Sequence, residues 1–225
     1  MPYDQDLYSP VITKKVKGLQ EPKEYKHAKD IRQMIDVKNI KKPATFSSKK
    51  VTIHDFDLKK TLGEGKFGVV YQAFHKETKA LFALKKISKE VVKSNLMMNQ
   101  LLQEIRIQIF CNHDNVLKLY GYFDDAEHIY LILEYMEEGT LFTHLKIKKT
   151  LQEEDAKEKL KDIAKAVIYL HDEGIAHRDI KPENIVMSNG VGKLCDFGWA
   201  AICTDRRKTY CGTFDYVAPE ILEGS

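Results

Sequence analysis

The feature that most constrains this chain is the motif-dense stretch 177–198. It reads His-Arg-Asp-Ile-Lys-Pro-Glu-Asn, continues for eleven residues, and ends in Asp-Phe-Gly. It offers a carboxylate that can act as a base toward a hydroxyl, Asp179, and two oxygen ligands suited to Mg²⁺, Asn184 and Asp196. Phosphoryl transfer depends mainly on positioning and charge neutralisation. The stretch therefore predicts a phosphoryl-transfer site, in which Lys181 would neutralise the γ-phosphate.

A glycine-rich loop lies earlier in the chain. Gly63, Gly65 and Gly68 give the pattern G-x-G-x-x-G-x-V, in which glycines let backbone amides approach a polyphosphate without a side-chain clash. In dinucleotide-binding folds similar glycines open a helix and precede an acidic residue by about twenty positions. Here a β-favouring run, 69–75, follows them instead. The context therefore favours a loop over nucleotide phosphates and argues against a Rossmann-type oxidoreductase.

Two charged residues complete the predicted phosphate site. Lys85 ends the run Phe-Ala-Leu-Lys, which is similar to the strand motif V-A-I-K, whose lysine contacts the α- and β-phosphates. Such a lysine needs a carboxylate to hold it in a cleft, and Glu104, on a predicted helix, is the best candidate. Either residue alone would ordinarily be a solvated surface charge. The neighbouring motifs reverse that interpretation.

Hydrophobic patterning predicts an α+β fold. Turn-separated β-favouring runs predict strands at 57–62, 69–75, 81–87, 117–123 and 128–135. Apolar residues at helical spacing predict a helix at 95–110 and a longer one at 150–171, which a Thr-Leu-Gln-Glu capping box would open. The chemistry would then lie at the junction of a β-rich lobe and a helical lobe, where ligand clefts tend to form.

Composition is that of an ordinary soluble globular protein, with 43% hydrophobic and 31% charged residues. The sequence contains no run close to the roughly 18 apolar residues of a membrane span. The first eight residues have no apolar signal core, which favours a cytoplasmic and/or nuclear protein without membrane partners. The four cysteines form no C-x-x-C pair, which favours reduced thiols over disulfides or a metal site.

The N-terminal segment differs from the rest of the chain. It is rich in lysine, holds four of the six prolines and shows weak hydrophobic periodicity. These properties predict a basic, disordered tail at 1–55 and a folded domain at 56–225. Its lysines are scattered rather than clustered, so a solvated leader is favoured over a nucleic-acid-binding arm.

Taken in order, these motifs resemble those of eukaryotic protein kinases over 56–225, and the Lys-Pro-Glu form of the loop resembles the serine/threonine class. Within the kinases the chain resembles the Aurora family. The resemblance is carried by Gly-Lys-Phe-Gly at 65–68, Gln108, Leu-Tyr-Gly-Tyr-Phe at 119–123, Tyr-Leu-Ile-Leu-Glu-Tyr at 130–135, Asp-Phe-Gly-Trp at 196–199, Cys-Gly-Thr at 211–213 and Asp-Tyr at 215–216. The chain departs from the family at Ala200, where serine is usual, and at 218–220, where Pro-Pro-Glu is common.

The resemblance implies a bilobal kinase fold. An N-lobe at about 56–134 would hold a five-stranded antiparallel sheet and one helix. A hinge would follow at about 134–138, and then a mainly helical C-lobe at about 139–225. A kinase domain continues after Ala-Pro-Glu into further helices, so we expect this C-lobe to be incomplete. We expect a poorly stable, catalytically weak chain with uncovered apolar residues, namely Ile163, Val167, Leu170, Ile180 and Ile185.

The resemblance also implies a set of site residues, with ATP and Mg²⁺ as cofactors. The catalytic residues would be Asp179, Lys181, Lys85 and Glu104. The metal ligands would be Asn184 and Asp196. The nucleotide would be bound by Leu62, Gly63, Gly65, Gly68, Val70, Ala83, Lys85, Glu134, Met136, Glu183, Asn184, Val186 and Asp196.

The implied activity is transfer of the γ-phosphate of ATP to serine or threonine of protein substrates with basic residues before the target. A mitotic role would place the protein at the spindle, centrosome or chromosomes, with an activating protein partner on the N-lobe. Thr209 would be the regulatory phosphosite and Arg178 its partner, with Thr204 and Thr213 as alternatives. Glu183 would receive a substrate arginine. The alternative function is a catalytically inactive ATP-binding or scaffold fragment.

Overall fold

A five-stranded antiparallel sheet opens the described part of the chain, which comprises residues 51–65, 68–95, 97–202 and 213–219 of a computed structural model. Its strands lie in the spatial order β1-β2-β3-β5-β4. They are β1 (Phe56–Gly65), β2 (Gly68–His75), β3 (Leu81–Ser88), β4 (Leu119–Asp124) and β5 (His128–Glu134). All five predicted strands are present, although their ends shift by a few residues because cross-strand pairing decides where a strand stops.

Two helices lie between β3 and β4, where the sequence predicted one. The first, α1, spans Lys89–Ser94, and the second, α2, spans Met98–Phe110. The single helix predicted at 95–110 is therefore wrong at its start. The helix α1 escaped notice because its six residues are too few to show a helical period. Its N-cap is Ser88, whose side chain accepts a hydrogen bond from the Val91 amide at 3.3 Å.

The second lobe contains two helices and several short strands. The helices are α3 (Leu141–Lys148) and α4 (Glu153–Asp172). The strands are β6 (Gly139–Thr140), β7 (Ile175–Ala176), β8 (Ile185–Ser188), β9 (Val191–Leu194) and β10 (Ala201–Ile202). Strands β6, β8 and β9 form one small sheet, and β7 pairs with β10. The α+β, two-lobed fold class is confirmed. The lobe and hinge boundaries stay a prediction.

The long helix α4 begins differently from the prediction. Its N-cap is Gln152, whose side chain makes no capping hydrogen bond, so the predicted capping box is wrong. Acidic residues at 153–155 fill the first turn instead, where negative charge interacts favourably with the helix dipole. In the described part of the chain, no helix has the length and apolar character needed to cross a membrane.

The packing of α4 also corrects an expectation about exposed apolar residues. Of the five residues expected to be uncovered, Ile163, Leu170 and Ile185 are buried in the core of the second lobe and Val167 packs against that core. Ile180 is exposed, as expected. The exposed apolar residues of the helix are Leu160 and Ile168, which are 72% and 61% exposed. The short strands β7 and β9, which hydrophobic periodicity did not predict, pack against α4 and account for the difference.

Gly68 begins β2 where two strand backbones approach closely. A Cβ atom at this position would lie 1.8 Å from the Lys86 carbonyl oxygen on β3. We expect Gly68→Ala to lower the free energy of unfolding by about 1–3 kcal/mol, since the strand must shift to relieve the clash. Gly63→Ala is the matched control, because no heavy atom lies within 4 Å of the position that its Cβ would take. Urea denaturation followed by circular dichroism compares the two, and equal midpoints would contradict the prediction.

Candidate active site

A cavity of about 540 Å³ lies between the sheet of the first lobe and the loops of the second. Every predicted catalytic, nucleotide-binding and metal-binding residue lines it, whereas the predicted phosphosite Thr209 lies outside the described residues. Its apolar walls include Leu62, Val70, Ala83, Leu133, Met136 and Val186. Its polar end includes Lys85, Glu104, Asp179, Lys181, Glu183, Asn184 and Asp196. A pocket with apolar walls and a few convergent polar groups is typical of cofactor sites.

The first lobe contributes an ion pair to the polar end of this cavity. Lys85 lies on β3, paired on one side with Val70 and on the other with Leu131, so the central strand fixes its backbone. Its Nζ lies 3.2 Å from Oε1 of Glu104 on α2. Burial acts to lower the pKa of Lys85, but the carboxylates of Glu104 and Asp196 outweigh it and raise that pKa above its ordinary value. Lys85 is therefore a fixed cation.

The second lobe contributes a carboxylate held by several donors. Oδ1 of Asp179 accepts hydrogen bonds from the Thr213 backbone amide at 3.1 Å and from its hydroxyl at 2.7 Å. Oδ2 accepts from Asn184 Nδ2 at 2.9 Å and faces Lys181 Nζ at 2.9 Å. Burial acts to raise the pKa of Asp179, but these donors outweigh it and hold the pKa below its ordinary value. Asp179 is therefore ionised at neutral pH.

His177 stabilises the loop that carries Asp179. Its Nε2 lies 3.1 Å from the Cys195 carbonyl oxygen, and the Asp179 backbone amide donates to its Nδ1 at 3.3 Å. The neutral tautomer with its proton on Nε2 satisfies both contacts. Burial lowers the pKa of His177 and so favours this neutral form. The imidazole thereby links the loop that carries Asp179 to the strand end that precedes Asp196.

Asn184 and Asp196 are oriented by bonds of their own. Asn184 Nδ2 donates to the Asp179 carbonyl oxygen at 2.8 Å as well as to its carboxylate, which leaves the amide oxygen available to a metal ion. The Gly198 amide donates to Asp196 Oδ1 at 3.2 Å. No group of three or more His, Cys, Asp or Glu side chains suited to a metal occurs among the described residues. Any metal here would therefore share its coordination with ligand oxygens.

Three contributors to the site escaped the sequence analysis. Lys193 on β9 donates to both carboxylate oxygens of Glu134, at 2.7 and 3.0 Å, so the Glu134 carboxylate is engaged in an ion pair. Gln108, noted only for its family resemblance, is buried and donates to the Leu117 carbonyl oxygen at 3.1 Å. Cys195 lines the cavity, and burial raises the pKa of its thiol to about 12. These features depend on tertiary packing, which no local sequence pattern predicts.

Comparison with known proteins places this geometry in a family. The protein kinase domain model matches residues 56–225. The chain belongs to the protein kinase domain family. Sequence comparison also confirms the predicted resemblance of this kinase chain to the Aurora kinases.

Three Aurora kinases illustrate that similarity. Serine/threonine-protein kinase Aurora-1 of Arabidopsis thaliana is 42% identical over 181 residues, which cover 80% of this chain and 62% of the relative. Aurora kinase of Saccharomyces cerevisiae is 44% identical over 179 residues, or 78% and 48% of the two chains. Aurora kinase A-A of Xenopus laevis is 42% identical over 174 residues, or 76% and 43%. The chain thus spans less than two thirds of the length of these relatives.

The ion pair in this kinase chain gives a titration test. In Glu104→Gln the largest influence that raises the pKa of Lys85 is lost while burial, which lowers it, stays. We therefore expect the Lys85 amine to become neutral, and reactive toward an acylating reagent, at lower pH than in the parent. Mass spectrometry of the Lys85 peptide over a pH series measures this. Glu153→Gln, at the exposed start of α4, is the control. An unchanged pH profile would refute the pairing.

Proposed function

We propose that this chain transfers the γ-phosphate of ATP to serine or threonine of protein substrates in a Mg²⁺-dependent reaction. The observation that carries the proposal is the convergence of two sets of charges on one cavity. Lys85 and Glu104 come from the first lobe, and Asp179, Asn184 and Asp196 come from the second. Phosphoryl transfer requires such positioned charges more than it requires a covalent catalyst.

The apolar part of the cavity fits a nucleotide base. Val70 and Ala83 belong to the sheet above it, and Val186 belongs to β8 below it. The backbone amide of Glu134 already donates to the Lys118 carbonyl oxygen at 2.9 Å. The Glu134 carbonyl oxygen is therefore the group proposed to accept from the adenine amino group, with the Met136 backbone beside it.

The polar part fits a triphosphate with Mg²⁺. Carboxylate and amide oxygens suit this ion, which in nucleotide sites takes one or two protein ligands and fills its remaining positions with phosphates and water. Asp196 and Asn184 would hold it, and when bound it would neutralise charge on the phosphates. Lys85, fixed as a cation, would bind the α- and β-phosphates, and the glycines of 63–68 would admit them near the backbone.

The loop around Asp179 supports a role as base toward the attacking hydroxyl. In the proposed step the substrate oxygen bonds to the γ-phosphorus, the bond from that phosphorus to the β-phosphate oxygen breaks, and the hydroxyl proton passes to Asp179. The low pKa of Asp179 keeps its carboxylate ionised and able to orient the hydroxyl. Lys181, which lies 2.9 Å from the same carboxylate, would offset charge on the transferred group.

Removal of the proposed base separates catalysis from nucleotide binding. We expect Asp179→Asn to reduce kcat by about 10²–10⁴-fold, the usual contribution of general base catalysis. The Kd for Mg–ATP should change little, because Lys85 and Asp196 remain. Peptide phosphorylation and calorimetry measure the two quantities, with Asp172→Asn on the exposed end of α4 as control. Turnover in Asp179→Asn equal to that of the parent would contradict the assignment of Asp179 as the base. Binding of Mg–ATP without turnover in the parent would favour the scaffold alternative.

Glu183 is proposed to select the substrate. It lines the cavity, and its Oε2 is buried without a hydrogen-bond partner among the described residues. A carboxylate oxygen in this condition is suited to accept from an arginine guanidinium. We expect Glu183→Gln to lower kcat/KM about tenfold for peptides with arginine two residues before the target, since a charge-assisted hydrogen bond is weakened. Peptides with alanine there are the control, and equal losses on both would contradict the proposal.

Regulation is proposed to act through Thr209, which lies outside the described residues and follows the basic run 206–208. A phosphate on Thr209 would pair with Arg178, which already contacts the segment after Asp-Phe-Gly through the Trp199 carbonyl oxygen at 2.8 Å. We expect mass spectrometry to find phosphate on Thr209 in active protein, and Thr209→Val to lose most activity while Thr204→Val keeps it. Full activity of Thr209→Val would show the switch misplaced.

The resemblance to the Aurora kinases extends the proposal to the cell. We propose a role in mitosis, with association at the spindle, centrosome or chromosomes, and an activating protein partner on the first lobe. The relatives' shared Aurora names support the proposed role.

A further inference from the structure

Three consecutive backbone carbonyls that follow Asp196 and Phe197 each accept a hydrogen bond from a side chain. The donor and acceptor pairs are Gln100 Nε2 and Gly198 O, Arg178 Nε and Trp199 O at 2.8 Å, and Gln103 Nε2 and Ala200 O at 3.1 Å. Two donors belong to α2 and one to the loop that carries Asp179. A segment at the cavity mouth is thus bonded to both lobes.

The two glutamines lie on the same helix as the carboxylate of the ion pair. Gln100 is one helical turn before Glu104, and Gln103 is its neighbour in sequence. A Cβ atom at Gly198 would lie 3.1 Å from Asp196 Oδ1 and 3.6 Å from Glu104 Oε2. The bonded segment therefore lies directly against the carboxylates of the site. Any movement of α2 relative to this segment would change their spacing.

Asp196 needs support of this kind. Its φ of 62° lies in the left-handed region, which residues other than glycine occupy only when their surroundings hold them there. Phe197 supplies part of that support through full burial. Trp199 supplies little through burial, since it is 41% exposed. The backbone beyond Phe197 is instead held through its carbonyl groups.

We propose that Gln100 and Gln103 are positioning residues: they hold the segment 198–200 against α2 and so keep Asp196 at a fixed distance from the Lys85–Glu104 pair. Neither glutamine takes part in the chemical step. The catalytic consequence rests on the proposed function, whereas the tether itself does not.

Trp199 is a natural fluorescent probe of these two glutamine bonds. It is the single tryptophan of the chain, and it lies between Gly198 and Ala200, whose carbonyls accept the bonds. Methionine matches glutamine in length and lacks a donor, so the double variant Gln100→Met, Gln103→Met removes both bonds without adding charge. We expect acrylamide to quench Trp199 fluorescence more strongly in the double variant. Gln152→Met, an exposed residue without a capping bond, should behave as the parent.

A second measurement tests the consequence for Asp196. We expect the double variant to need a higher Mg²⁺ concentration for half-maximal ATP binding. We also expect its kcat to be about tenfold lower, which corresponds to the usual net free-energy contribution of two hydrogen bonds. Thermal unfolding checks that the double variant folds. If it does not, the single variant Gln103→Met is used instead, and we expect a smaller change in the same direction.

The outcomes are separable. Unchanged quenching in a folded variant would overturn the tether. Increased quenching with unchanged Mg²⁺ dependence would overturn the positioning role. If the parent shows no turnover, the proposed function fails, while fluorescence and Mg²⁺ titration still decide the tether and its effect on Asp196.

Discussion

The buried ion pair between Lys85 and Glu104 is the interaction on which the arrangement of the first lobe depends. A charge taken from water into a cleft is costly unless an opposite charge lies beside it. The side chain of Glu104 is only 10% exposed, so α2 must present it to β3 at a fixed depth and rotation. Gln108 reinforces that rotation through its bond to the Leu117 carbonyl oxygen. The polar contacts of α2 and the register of the sheet thus specify one geometry.

The second lobe meets the same requirement with different chemistry. Asp179 is buried, and its charge is balanced by one ammonium group and by neutral donors rather than by a single ion pair. Thr213 has a central place because Lys181 donates to its hydroxyl oxygen at 2.6 Å while that hydroxyl donates to Asp179. Such a chain of bonds strengthens each member. It also joins the loop that carries Asp179 to a segment 34 residues later in the sequence.

The sequence was most informative where chemistry is concentrated in short motifs. Asp179, Asn184 and Asp196 could be assigned to one cavity because each belongs to a motif with a defined spacing. The bond from Lys193 to Glu134 could not be foreseen, since it depends on the register of β9 against the first lobe. The helix α1 was missed for lack of length. Thr209, outside the described residues, stays a prediction.

Strained backbone conformations occur both in hairpin turns and at the candidate active site. Among the described residues, the non-glycine positions with positive φ are Lys79, Lys149, Arg178, Asn189 and Asp196. Lys79 lies in the turn between β2 and β3, and Asn189 lies in the turn between β8 and β9, where such a conformation closes a hairpin. Arg178 and Asp196 close no hairpin. Each adjoins a residue whose side chain is buried, His177 or Phe197, and those two rings meet edge to face at 5.0 Å.

This ring contact explains how the strain is sustained. A left-handed residue costs of order 1 kcal/mol and persists only where its neighbours leave it no alternative. His177 and Phe197 are fixed by burial and by each other. The backbone at Arg178 and Asp196 therefore cannot relax without disrupting the core of the second lobe. The strained residues then direct their side chains outward, one toward Trp199 and the other into the cavity. The hydrophobic core thereby stabilises the backbone conformation that the charged site requires.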